Sequence, residues 1–152
     1  KPSADIFYGI NSSLSYKNWD MSMVWRGSCG NYNYNNVDSA FGSYNNILIR
    51  QTDLSNGVVN LLESNFTTQD TKRYESDYYI QDAAFVRLDN VSVGYTFNQK
   101  KDSKTLVKMS LSAQNVLIIT DYTGIDPEIS GGIDKNIYPR PITITLGLNV
   151  NF

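Results

Sequence analysis

From Ile142 to Phe152 the chain alternates apolar with small or polar residues without a break. In an extended strand, side chains point to opposite sides with period two. Ile142, Ile144, Leu146, Leu148, Val150 and Phe152 then share one face, and Thr143, Thr145, Gly147, Asn149 and Asn151 the other. A tilted strand of roughly 9–11 residues crosses a bilayer, apolar toward lipid and polar toward a lumen. The edge strand of a soluble sandwich alternates in the same way, so this segment alone leaves both readings open.

The same pattern predicts four further strands. One runs over about 6–17, with Ile10, Leu14 and Tyr16 on one face, and a second over 19–29, with Trp19, Met21, Met23 and Trp25 aligned. Lys17-Asn18 between them reads as a two-residue hairpin turn, Asn tolerating positive φ. That turn pairs Tyr16 with Trp19, Leu14 with Met21, Ser12 with Met23 and Ile10 with Trp25, so both strands present their apolar residues to one side. A third strand over about 84–97 aligns Val91, Val93, Tyr95 and Phe97. A Lys-rich turn leads to a fourth, about 106–116, with Val107, Met109, Leu111 and Ala113 alternating with Lys108, Ser110, Ser112 and Gln114. The fifth is 141–152.

Connections between these strands alternate short, long, short, long. The long ones cover about 30–82, where apolar residues between Ile47 and Leu62 suggest a short helix or two, and about 117–140. Outer-membrane barrels have tight periplasmic turns and long extracellular loops, so both long segments are expected outside the cell. Tyr16, Trp19, Tyr95, Phe97 and Phe152 then gather at the periplasmic end of their strands, as an aromatic girdle requires. Ser13, Ser22, Arg26, Ser92, Lys108, Ser110 and Gln114 are expected to face the lumen. The fold class is therefore all-β: antiparallel C-terminal strands of a large transmembrane β-barrel with two long extracellular loops. Five strands cannot close, since the smallest such barrels have about eight. The chain also starts without Met or a leader, so it is expected to be the tail of something longer. The competing expectation is a secreted all-β carbohydrate-binding module, which would bury Trp19, Trp25, Met21, Met23, Leu146 and Leu148 against a second sheet.

Composition narrows the chemistry. The chain has 152 residues, 41% of them apolar, and a net charge of −2 with Lys and Arg scattered, which gives no footprint for nucleic acid. No apolar run is long enough for a membrane-spanning helix, a fact that says nothing against barrel strands. With no His and a single Cys29, the usual zinc ligands and the usual general base are missing, and Ser/His/Asp and Cys/His arrangements and an internal disulfide are excluded. Gly131-Gly132 lacks the Lys-Ser/Thr of a phosphate loop. No catalytic residue, metal or cofactor is expected. Asp126 and Glu128, with Asp121 and Asp134 near them, are the one carboxylate group of note; Pro127 and the surrounding glycines suggest a shaped loop that contacts a partner or ligand, together with Tyr122 and Tyr138. Tyr32, Tyr34 and Tyr44 suit either loop packing or stacking platforms for sugar rings.

Several motifs carry a likeness. Phe85-Val-Arg-Leu-Asp-Asn-Val-Ser-Val-Gly-Tyr-Thr-Phe97 resembles the FLRLKNVSLGYTF segment of the SusC/RagA family of TonB-linked outer-membrane importers. Leu111-Ser-Ala-Gln-Asn-Val116 is similar to that family's VSGQNLF strand. Tyr122-Thr-Gly-Ile-Asp-Pro-Glu128, Gly132-Ile-Asp134 and Tyr138-Pro-Arg-Pro141 resemble its YTGYDPE…GID…YPQPRT loop, and Leu146-Gly-Leu-Asn-Val-Asn-Phe152 its terminus. Tyr16-Lys-Asn-Trp19 and Arg26-Gly-Ser-Cys-Gly30 resemble its YKNF…RGSGG hairpin, with Cys29 where a small residue is usual. The resemblance is strong over 84–152, fair over 1–30 and faint between. It implies a 22-stranded barrel with an N-terminal plug in the outer membrane of a Gram-negative bacterium. It further implies energy from the TonB complex, a SusD-like surface lipoprotein as partner and oligosaccharides or peptides as substrate. The plug lies outside this chain. Ile144, Leu146, Leu148, Val150 and Phe152 also resemble the terminal signal read by the barrel-insertion machinery.

Overall fold

A computed structural model describes residues 1–42, 58–63, 76–97, 105–135 and 138–151. Among them the strands are β1 (Ile6–Tyr16), β2 (Trp19–Cys29), β3 (Tyr32–Asn35), β4 (Ile80–Asp82), β5 (Phe85–Phe97), β6 (Leu106–Thr120), β7 (Ile133–Asp134) and β8 (Thr143–Asn151). Two short helices, α1 (Asn36–Phe41) and α2 (Asn60–Glu63), and 3₁₀ turns at Asp77–Tyr79 and Ser130–Gly132 complete the described elements. Most of the segment expected to hold a helix or two, Tyr44, and the terminal Phe152 lie outside the described residues. The chain divides into two compact units. One comprises Lys1–Asp5, Gly30–Ala84 and Asp121–Pro139, the other Ile6–Cys29, Phe85–Thr120 and Arg140–Phe152.

The second unit is an antiparallel sheet in the order β1-β2-β5-β6-β8. Its first hairpin has the register expected from the sequence, with Tyr16 opposite Trp19, Leu14 opposite Met21, Ser12 opposite Met23 and Ile10 opposite Trp25. The turn works differently from the expectation. Lys17, not Asn18, takes the positive φ of 54°. Asn18 is instead held by β5: its Nδ2 donates to the Thr96 carbonyl and the Thr96 N–H donates back to the Asn18 carbonyl, both at 2.8 Å. A one-residue bulge then resets β5. Val24 faces Asn90 and Trp25 faces Leu88, which leaves Asp89 unpaired in the ladder. The bulge moves the apolar face from Val86 and Leu88 to Val91, Val93 and Tyr95, and keeps all of them on one side.

The fourth strand runs on to Thr120, four residues beyond the expected end near 116. Leu117, facing Leu88, and Ile119, facing Val86, continue the ladder past an irregularity at Asn115, whose φ is 54°. Phe85, Val86 and Arg87 supply the partners that extend it. The last strand is described from Thr143 to Asn151.

The first unit holds a small sheet in the order β4-β3-β7, β3 pairing antiparallel with β4 and parallel with β7. Its interior is largely polar: Asn33, Asn35, Ser39, Asp126 and Asp134 are buried beside Leu61, Tyr79, Ala83 and Tyr122. Buried polar groups require hydrogen-bond partners, and this unit supplies them from both near and distant parts of the sequence. Asn35 caps α1 by accepting from the Asp38 N–H at 3.0 Å, Asn33 Nδ2 donates to the Pro127 carbonyl at 2.7 Å, and Asn31 and Ala83 bond each other through Nδ2 and backbone.

Candidate functional site

Cross-strand partners in a sheet share a face, so the register sorts the five long strands into rungs. On one side, successive rungs are Tyr16–Trp19–Tyr95–Met109–Leu148, Leu14–Met21–Val93–Leu111–Leu146 and Ser12–Met23–Val91–Ala113–Ile144. Phe97–Val107–Val150 precedes them, and Ile10–Trp25–Leu88–Leu117 follows beyond the bulge. A soluble sandwich would bury this side. It is open at Trp19, which is 53% exposed, Leu146 at 70% and Leu148 at 68%, while Met21, Met23 and Trp25 are half-buried. The sandwich expectation is thereby corrected.

The opposite side is built from small hydroxyls and amides. Ser13–Ser22–Ser92–Ser112–Thr145 is a complete rung of hydroxyls, and Asn11–Val24–Asn90–Gln114–Thr143 lies next to it. Ser15–Asp20–Gly94–Ser110–Gly147 lies on its other flank, where Lys108 Nζ reaches Asp20 Oδ1 at 2.8 Å. Ser13, Ser22, Arg26, Ser92, Lys108, Ser110 and Gln114, all expected on a lumen face, stand on this side. Arg26 clamps the bulged Asp89 with both carboxylate oxygens, Nε to Oδ2 at 3.2 Å and Nη2 to Oδ1 at 3.3 Å. Arg87, only 2% exposed, bonds the Asn115 side-chain oxygen, while Asn115 Nδ2 donates to the Arg140 carbonyl at 2.8 Å. The rung of Arg26 and Arg87 places both guanidiniums within 6 Å of the Phe85 ring, at 5.9 and 5.6 Å.

Four of the five residues expected in an aromatic girdle come together at the turn end of the sheet. Trp19 and Tyr95 have ring centroids 4.8 Å apart, Tyr95 and Phe97 4.9 Å, and Tyr16 shares the Trp19 rung. Phe152 lies outside the described residues. Of the terminal strand, Ile144, Leu146, Leu148 and Val150 all stand on the apolar side.

The loop residues singled out in the sequence divide sharply. Tyr122 is buried and donates to Asp134 Oδ2 at 2.8 Å. Burial first, then that bond and the charges of Asp134 and Asp38, push the Tyr122 hydroxyl far above the ordinary phenol range, so it stays a proton donor. Asp126 is buried too, its Oδ1 accepting from the Glu128 N–H at 2.9 Å in a local turn. Glu128 is half-buried, and Tyr138 stands 80% exposed. Tyr34 bonds Ser39 at 2.6 Å and packs edge-on against buried Tyr79, whereas Tyr32 remains exposed.

Sequence reasoning missed Asp38, Gln81 and Thr123. Gln81 Oε1 accepts from both the Thr123 N–H at 3.1 Å and its hydroxyl at 2.8 Å. Burial raises the Asp38 carboxyl above its ordinary value of 3.8; the Thr123 hydrogen bond opposes this and the Asp134 charge adds to it. These three residues, with Glu63, Tyr78, Val58 and Val59, line a cavity of about 690 Å³. Among the described residues, no group of three or more His, Cys, Asp or Glu side chains is arranged to hold a metal ion.

No family model matches the chain. The TonB-dependent receptor SusC of Bacteroides thetaiotaomicron is 35% identical over 157 residues, which covers 100% of this chain and 16% of the receptor. TonB-dependent receptor P3 of Formosa agariphila is 31% identical over 174 residues, covering 99% of this chain and 17% of its own length. In fold, the chain matches the RagAB peptide importer in its open-open state with a TM-score of 0.75 at 20% identity, over 99% of this chain and 17% of that one. The closed-closed state of the same importer gives 0.74 at 21% identity. The chain therefore spans about one sixth of the curated relatives it matches.

A two-faced antiparallel sheet with this likeness defines a piece of an outer-membrane β-barrel from a TonB-dependent receptor. The chain belongs to the SusC/RagA family of those receptors.

Proposed function

We propose that these residues form the C-terminal wall of a SusC/RagA-like importer in the outer membrane of a Gram-negative bacterium. The observation that carries this reading is the continuous apolar side across all five strands, exposed on β1, β6 and β8 and largely half-buried on β2 and β5, where a soluble protein would hide it. In a membrane that side meets lipid and the hydroxyl side meets the aqueous lumen. The short Lys17-Asn18 turn then faces the periplasm, and the segments 30–82 and 121–140 face the outside. The parent protein takes up oligosaccharides or peptides too large for passive pores, driven by TonB and assisted by a SusD-like lipoprotein; it performs no chemistry on its cargo. The RagAB likeness, named as a peptide importer, supports this role. Tyr138, 80% exposed, is the one among the loop residues named above that stands ready to touch a partner or ligand, while Tyr122 and Asp126 hold that loop in shape.

Isolation of the intact receptor from outer membranes in mild detergent tests the reading. A folded barrel whose mobility on gels changes with heating, accompanied by a lipoprotein, is the expected result. Recovery in the soluble periplasmic fraction would overturn it.

A further inference from the structure

On the apolar side near the Lys17-Asn18 turn, three successive rungs do not form a flat surface. Trp19, Tyr95 and Met109 from one rung, Val93 and Leu111 from the next, and Phe97 beyond them line a groove of about 480 Å³. Its walls are almost wholly carbon. The aromatic wall is fixed rather than loose: Trp19 lies tilted at 58° to Tyr95, and Tyr95 meets Phe97 edge-on at 84°, geometries that aromatic pairs favour. Among the described residues, Lys17 stands at the same end. Lys17 Nζ sits 5.2 Å from the centroid of Tyr16, the rung partner of Trp19. The turn that carries it is anchored by the paired Asn18–Thr96 hydrogen bonds.

We infer that this groove is a binding site for one anionic glycerophospholipid of the surrounding leaflet, its acyl chain in the groove and its phosphate on Lys17. The inference rests on the membrane reading given above. A carbon-lined trough with an ammonium in the neighbouring β1–β2 turn, at the same end of the sheet, complements the two halves of such a lipid, an apolar chain and a negative head. A uniformly bumpy lipid-facing wall would solvate acyl chains without selecting one. The held aromatic wall differs in that it is already ordered before the chain arrives, which lowers the entropic cost of binding.

The test titrates the intact full-length receptor, in detergent, with phosphatidylglycerol and counts bound lipid by native mass spectrometry. Expected is one saturable phosphatidylglycerol in the natural protein, absent in Val93→Trp, which fills the groove. Lys17→Gln should weaken it roughly fivefold, the effect of one cation near a charged head. Phosphatidylethanolamine should bind less tightly than phosphatidylglycerol. The absence of a saturable step, equal binding of the two lipids, or binding unchanged in both variants would overturn the site. Heat-dependent gel mobility of each protein, run in parallel, keeps the two claims apart. A heat-modifiable barrel without the lipid step overturns only the site, whereas a protein with no such mobility shift overturns the membrane reading beneath it.

Discussion

Lys108 on β6 and Asp20 on β2 form their 2.8 Å ion pair across an intervening strand, over Gly94 of β5. A Cβ at position 94 would lie 2.6 Å from Asp20 Oδ2 and 2.8 Å from Lys108 Cε. The glycine is the gap through which two non-adjacent strands touch. Tyr8 uses a similar gap at Gly27, donating from β1 across β2 to the Phe85 carbonyl at 3.1 Å.

The first prediction follows from that gap. Glycine weakens a strand, and a β-branched residue ordinarily strengthens it. Gly94→Val should nevertheless destabilise the natural protein, by at most about 1 kcal/mol because the displaced pair is well solvated. In an Asp20→Ala/Lys108→Ala background the same change should become neutral or stabilising. Urea unfolding of the receptor in lipid measures both; an equal cost in the two backgrounds would contradict the gap.

A second concerns the 121–140 loop. Tyr122→Phe removes the hydroxyl that serves the buried Asp134 carboxylate, and a bond to a charged acceptor contributes about 1.5–3 kcal/mol. Hydrogen exchange across Asp121–Asp134 should accelerate, while β8 exchanges as before. Unchanged protection of that loop would mean that Asp134 is satisfied without Tyr122.

The third is a pH effect. Because the folded state raises the Asp38 carboxyl above 3.8, it holds a proton more tightly than the unfolded chain does. Linkage then makes this contribution favour folding as pH falls through the raised value, and oppose folding once Asp38 ionises above it. Protection factors of the α1 amides should therefore fall from acidic toward neutral pH, and Asp38→Asn should flatten that slope. A slope of opposite sign, or one untouched by the substitution, would sink the assignment to Asp38.

Asn115 gives a fourth. It combines a left-handed backbone with bonds to Arg87 and Arg140. Asn115→Gly keeps the backbone comfortable and loses the bonds. Asn115→Ala loses both, at roughly 1 kcal/mol more, the cost of a Cβ in the left-handed region. Urea midpoints of the two variants in that order are expected; the reverse order would show that the backbone at 115 relaxes freely.

How far the chain could be read in advance depended on residue spacing. The β1–β2 register was legible because Trp19, Met21, Met23 and Trp25 repeat every second residue against Ile10, Leu14 and Tyr16. The bulge at Asp89 was legible in principle, since Val86 and Leu88 are even and Val91 and Val93 odd. The extension of β6 was hidden by the run Leu117-Ile118-Ile119, which has no period to read. The small loop sheet was hidden for another reason. Tyr32-Asn-Tyr-Asn35 is polar, and it pairs in parallel with Ile133-Asp134, far away in sequence. What holds it is side-chain hydrogen bonding, and hydropathy carries no signal of that. The same blindness hid Asp38, Gln81 and Thr123, and it made Tyr122 and Asp126 look like surface groups.

The central claim is that one side of the long sheet meets lipid and the other water. Nitroxide labels placed singly along Thr143–Val150 of the intact receptor, with Cys29 replaced by Ser, test it most directly. Collision with lipid-soluble oxygen should peak at 144, 146, 148 and 150, and collision with a water-soluble nickel complex at 143, 145, 147 and 149. Loss of that alternation, with positions 146 and 148 shielded from both reagents, would mean a buried soluble core and would contradict the barrel wall.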